Sequence, residues 1–165
     1  MKKKKEKINI SEEIAKSFEE LLLNLQVEAK VAVNEIKDEG SKDESEGGNY
    51  IANIETSESG LLIGHHGETI NSLQLLIGVI LFKKLGKWVR VLVDVGDYRK
   101  MREESIKEMV NRIIAEVEQT GRGVELPYLS PLERRIVHMM LSENEKMMSE
   151  STGEGKDRRV MIKPR

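Results

Sequence analysis

Apolar residues return every three or four positions at Ile14, Phe18, Leu21, Leu22 and Leu25, which predicts an amphipathic helix with Ser11 as its N-cap. Val27, Ala29, Val31 and Val33 then alternate with Glu28, Lys30 and Asn34, the period-two pattern of a half-buried strand. A second strand is expected through Tyr50, Ala52 and Ile54, and a third through Val89, Val91, Val93 and Val95. Between them, Glu68 to about Leu85 carries Ile70, Leu73, Leu76, Ile77, Ile80 and Leu81, with Leu75, Val79 and Phe82 widening the stripe. A helix so apolar is covered on most sides. Gly78 within it costs about 1 kcal/mol relative to Ala, so packing must hold the segment together. The glycine- and acid-rich stretch Gly40 to Asn49 reads as a flexible loop. Helix, strand, strand, short helical turn, long helix and strand predict a three-stranded sheet with helices on one face.

The second half changes period only once. Ile106, Met109, Val110, Ile113, Ile114 and Val117 mark a long amphipathic helix ending at Gly121. Another helix runs from Pro131 to about Ser142, capped by Ser130 with Glu133 three residues on, a capping box. Met147 to Pro164 reads as a hairpin turning at Gly153-Glu154-Gly155. The boundaries that follow are a basic tail over 1–10, a first domain over 11–96, a connecting helix over 97–121 and a second domain over 122–165. The fold class is α+β.

Composition narrows the chemistry. Of the 165 residues, 4% are aromatic and 38% hydrophobic, so Leu, Ile, Val and Met must build the core. There is no cysteine, which removes disulfides, thiolate nucleophiles and thiolate metal ligands. The basic Met1 to Lys7 is followed by no apolar segment, and Leu73 to Phe82 is far too short to span a bilayer. Neither secretion nor a membrane is expected, and a cytoplasmic location follows by elimination. Net charge is −2, but residues 122–165 hold nine basic and seven acidic side chains, so a phosphate grip must be local.

Gly64-His65-His66-Gly67 joins an apolar turn to the head of the apolar helix. Glycine at both corners allows a tight bend and a close approach by a sugar-phosphate chain, and free N–H groups at a helix start favour an anion. In this context the segment resembles the loop of a type II KH domain (α-β-β-α-α-β), which clamps about four nucleotides of a single strand. Ser130 to His138, followed by Ser149-Glu150-Ser151 and by Gly155 to Val160, resembles an R-three-H α/β domain, with Arg134 and His138 filling the eponymous positions. The two motifs in tandem, joined by the Asp97–Arg102 segment and the long helix, resemble the Jag family of bacterial RNA-binding proteins over roughly residues 12–165.

The resemblance implies a single-stranded RNA-binding protein, a post-transcriptional regulator or RNA chaperone, linked to cell elongation, division or sporulation in bacteria. The expected partners are single-stranded RNA and a small single-domain KH protein (KhpA), with single-stranded DNA and a homodimer left open. No cofactor, metal or catalytic role is expected. Relatives often carry a further N-terminal domain; here only Met1 to Ile10 precede the first helix, so that domain's contribution is not expected. Relatives also place Lys and Arg between the loop glycines. An ordinary imidazole titrates near pH 6.5, so His65 and His66 imply a weaker grip that strengthens towards pH 6.

The residues assigned to the nucleic acid are Gly64, His65, His66 and Gly67 for the backbone, Ile54 and Ile63 for bases, and Arg134 and His138 further along. Arg134 and His138, four apart, share a helix face. Arg158 and Arg159 occupy adjacent strand positions and point to opposite faces, and Arg159 is the one assigned to the site. Lys83, Lys84 and Lys87 suit either a phosphate track or the electrostatics of a helix C-terminus. A metal site is not expected, because adjacent His65 and His66 splay apart and no carboxylate is spaced to join them. Two rivals stand beside RNA binding. One is an adaptor that mainly pairs with another KH protein; the other is a nuclease, for which no acidic metal cluster is spaced.

Overall fold

The computed structural model describes residues 9–36 and 48–165; the basic tail at 1–8 and most of the expected loop, 37–47, lie outside the described residues. The chain divides into two compact units, Met1–Tyr98 and Arg99–Arg165.

The first unit opens with helix α1, Ile10–Asn24, which buries Ile14, Phe18 and Leu22 at four-residue spacing. Its N-cap is Asn9 rather than Ser11, and no side chain caps the first turn. Glu12 and Glu13 there complement the helix dipole, and the Asn9 side chain donates to Glu12 at 2.9 Å. At the other end Gln26 adopts φ 58°, and its N–H bonds Leu23 while Val27 bonds Leu22. That is a Schellman closure. Val27 is consequently buried as part of the helix stop, and strand β1 begins later, at Lys30–Ile36.

Strand β2, Asn49–Glu55, lies at the centre of the sheet, antiparallel to β1 and parallel to β3, Arg90–Val95. Alternation turns Tyr50, Ala52 and Ile54 of β2 and Val91, Val93 and Val95 of β3 into the core with α1. Between β2 and β3 come the short helix α2, Ser59–Ile63, one 3₁₀ turn and the long helix α3, Glu68–Leu85. Helix α3 buries Ile70, Leu73, Ile77 and Leu81. Lys84 near its end meets Glu13 at 3.3 Å and Glu20 at 3.0 Å, and donates to Ser17 at 3.1 Å. It is a strut between α1 and α3.

The second unit is built on helix α4, Tyr98–Thr120, whose Ile106, Val110 and Val117 share a core with Val137, Leu141, Val160 and Ile162. The segment read as a connector is thus one wall of this core. Helix α5, Pro131–Ser142, starts in the expected capping box. The hairpin of β5, Met147–Thr152, and β6, Arg159–Pro164, pairs Ser149 with Ile162 and Ser151 with Val160. A two-residue strand, β4 (Val124–Glu125), adds to the other edge of β6 and was not foreseen, being too short to show a period.

Candidate nucleic-acid interface

In the first unit the glycine-cornered loop is fixed by its own stereochemistry. Gly64 sits at φ 70°, ψ −174°, His66 at φ 51° and Gly67 at φ 81°. A Cβ on Gly64 would lie 2.0 Å from Thr69 Oγ1 and 2.9 Å from the Thr69 nitrogen, so the loop is folded onto the first turn of α3. At Gly67 a Cβ would meet the Tyr98 ring at 3.1 Å. Packing alone therefore explains both glycines. What remains for a ligand is an exposed His65, a His66 ring edge-on to it at 4.0 Å, and an α3 N-terminus with no side-chain cap. Those N–H groups and rings can receive an anion.

The expected apolar seat for bases is only partly present. Ile63 is half-buried, but Ile54 is 0% exposed and locked among the β2 core residues, so it cannot meet a base. The alternation that made Ile54 conspicuous points it inward.

In the second unit, Arg134 and His138 line one pocket of about 420 Å³ together with Arg135, Met139, Ser151 and Arg158. Arg134 is steadied by donation from its Nη1 to the Leu129 carbonyl at 2.7 Å. Arg135 and Arg158 are exposed and form no ion pair among the described residues, and no carboxylate lines the pocket. A pocket lined by three arginines and no acid can receive an anion, and a guanidinium fork suits phosphate.

Arg159, the expected contact, is elsewhere. Its guanidinium donates to the Lys156 carbonyl at 2.7 Å and to Arg158 O at 3.2 Å, and lies 5.5 Å from the Tyr128 ring centroid. Arg158 replaces it in the pocket because β6 begins only at Arg159, leaving Arg158 in the preceding turn, where strand alternation does not apply. Ser151 and Arg135 were likewise unassigned, although the Ser149-Glu150-Ser151 alternation was visible.

His138 is held on both sides. Its Nδ1 lies 2.7 Å from Ser149 Oγ and its Nε2 2.7 Å from Ser151 Oγ. Burial, then the Arg158 and Arg134 guanidinium groups, hold the imidazole below its ordinary value, favouring the neutral ring. In the first turn of α5 Glu133 accepts from Ser130 N and Arg102 Nε, each at 2.7 Å. Burial pushes this carboxyl up, but the Arg102 guanidinium and the Ser130 N–H outweigh it and hold it below the usual carboxylate value. The described residues contain no group of three His, Cys, Asp or Glu able to hold a metal, and no helix long and apolar enough to cross a membrane.

Residues 104–164 match the family model of the R-three-H domain. The chain is 31% identical over 140 residues to the RNA-binding protein KhpB of Clostridium symbiosum, covering 85% of this chain and 59% of that protein. It is 36% identical over 110 residues to RNA-binding protein KhpB of Lactiplantibacillus plantarum, with 67% and 34% covered. The chain carries an R-three-H domain and is similar to the KhpB proteins of the Jag family. The Bacillus subtilis KhpB matches at 32% over 111 residues, covering 66% of this chain and 53% of the relative. Between about a third and three-fifths of these family members' length is thus spanned. The matched R-three-H region begins inside α4, in keeping with the share of that helix in the second core.

Proposed function

We propose that this chain is a single-stranded RNA-binding protein of bacteria, acting after transcription and without catalysis of its own. The first unit is read as a type II KH domain that holds backbone at Gly64–Gly67, the second as an R-three-H domain that holds phosphate at Arg134 and Arg158. The observation that carries the reading is the acid-free arginine pocket on α5. The names of the relatives and the agreement of the α-β-β-α-α-β order with the expected fold support it. A cellular role in elongation, division or sporulation, in the cytoplasm, is the setting proposed from the family.

Fluorescence anisotropy with labelled 12-nucleotide RNA, the matching DNA and an RNA duplex tests it. Arg134→Ala with Arg158→Ala should weaken single-strand binding about tenfold or more and lower its salt dependence. His65→Asp with His66→Asp challenges the loop without touching its glycines, since Asp tolerates the left-handed conformation of residue 66. Undiminished binding by the combined variant would defeat the proposal. Labelled RNA incubated with magnesium should remain intact.

One observation favours a second activity, pairing with a small KH protein such as KhpA or with another copy. Leu75, Val79, Phe82, Trp88 and Leu92 are all 40% or more exposed on α3, β3 and the turn between them, with Phe82 and Trp88 stacked at 4.8 Å. Of these, Leu75, Trp88 and Leu92 line a cleft of about 440 Å³. RNA binding that appears only when the KH partner is added would favour this adaptor reading.

A further inference from the structure

The second of the two eponymous residues of the R-three-H motif is in the wrong chemical situation to grip a phosphate. Both ring nitrogens of His138 are already engaged at 2.7 Å, one by each serine of β5. A direct phosphate contact would have to break one of these bonds. Ser149 and Ser151 stand two apart on the face of β5 that meets α5, and Ser151, unlike Ser149, lines the pocket with Arg134 and Arg158.

We propose that His138 is a positioning residue, and that the Ser151 hydroxyl it orients is the group that touches the nucleic-acid phosphate beside Arg134 and Arg158. This inference rests on the RNA-binding reading above and names the contact within the same site.

The proton on each of these hydrogen bonds has a definite owner. A neutral imidazole has one N–H donor and one bare acceptor nitrogen, whereas a serine hydroxyl can do either. A phosphate oxygen only accepts, so Ser151 must spend its proton outward. It therefore accepts from His138, which places the ring proton on Nε2. Nδ1 is then bare, and Ser149 donates to it. The chain Ser149 to His138 to Ser151 to phosphate thus has one direction, and each link fixes the next. The groups facing the ring are these two serines from β5, Arg134 from its own helix and Arg158 from the turn before β6. An imidazolium among those guanidinium groups is disfavoured, and with two N–H donors it would leave Ser149 no acceptor on the ring.

Anisotropy with labelled 12-nucleotide oligouridylate and the full chain provides the test. Ser151→Ala should weaken binding about five- to tenfold, with Ser151→Thr, which keeps a hydroxyl, within about twofold of the unaltered chain. His138→Ala should lose about as much as Ser151→Ala, and the double variant no more than either alone, because both remove one contact. Long-range ¹H–¹⁵N spectra of the complex should show a neutral His138 protonated at Nε2. Losses that multiply in the double variant, or a doubly protonated ring in the complex, would overturn the inference. If Arg134→Ala loosens the RNA while Ser151→Ala does not, this inference fails alone. If the unaltered chain holds neither RNA nor DNA, the functional reading fails with it.

Discussion

Replacing Gly64 with alanine should damage the first unit more than any comparable change in the loop. Two effects combine. At φ 70° and ψ −174° the backbone lies in a region open essentially to glycine alone, which costs an L-residue on the order of 1–3 kcal/mol. The new Cβ would also arrive 2.0 Å from Thr69 Oγ1 and 2.7 Å from Thr69 Cβ, and Thr69 belongs to the first turn of α3, so the helix start itself must yield. Overpacking of that kind adds roughly 1–3 kcal/mol, for a total of about 2–6 kcal/mol. Gly67→Ala should lose less, because its left-handed conformation costs about 1–2 kcal/mol and its nearest neighbour is a ring at 3.1 Å. Gly60→Ala, with no heavy atom within 4 Å of the added carbon, should be neutral or stabilising by up to about 1 kcal/mol. The single tryptophan, Trp88, stacks on Phe82 in this unit, so its fluorescence in urea reports the transition of interest. With a mid-range loss of about 4 kcal/mol and a slope of about 2 kcal/mol per molar urea, Gly64→Ala should lower the midpoint by about 2 M. An order in which Gly67→Ala is the more damaging, or an unmoved Gly64→Ala midpoint, would refute the reasoning.

Three further outcomes are expected. Arg102→Ala leaves the buried Glu133 carboxylate without its guanidinium and should destabilise the second unit by about 2–4 kcal/mol, read as a lower denaturant midpoint by circular dichroism. Because the His138 imidazole is held below its ordinary value, the unfolded chain takes up the proton first, so its contribution is complete above about pH 6.5 and declines as pH falls. His138→Gln should flatten that decline below about pH 6.5 in thermal melts of the second unit. His65→Asn with His66→Asn should weaken oligonucleotide binding through the loop, read by anisotropy. Exchanging the pair for Lys and Arg should instead steepen the salt dependence by about one to two counterions.

Period and capping chemistry made most elements legible. The three β-strands of the first unit, the long α3, the Ser130 capping box and the C-terminal hairpin follow from alternation, helical spacing and turn residues. What escaped depended on tertiary geometry. Val27 continues the strand's alternation, yet it closes the preceding helix, because Gln26 adopts a left-handed conformation usually left to glycine. Ile54 shows the same period-two signal whether it faces a ligand or the core, and only the packing of α1 against β2 decides. Arg158 and Arg159 differ by one position, and the boundary of β6 assigns the pocket to the former. His138 stood out through the R-three-H resemblance and not through its spacing to Arg134, which a surface helix shares; its two serine partners were visible only as a short alternation, since nothing local ties β5 to α5.

The tether between Arg134 and the Leu129 carbonyl has a thermodynamic consequence for recognition. A free arginine side chain carries about 2 kcal/mol of rotamer entropy, which a ligand ordinarily has to quench on arrival. Here much of that freedom is surrendered when the domain folds. One of the five N–H groups is spent on the backbone, and the remaining fork is already aimed when the polynucleotide reaches it. Cutting the tether should therefore appear as a more unfavourable association entropy in calorimetry.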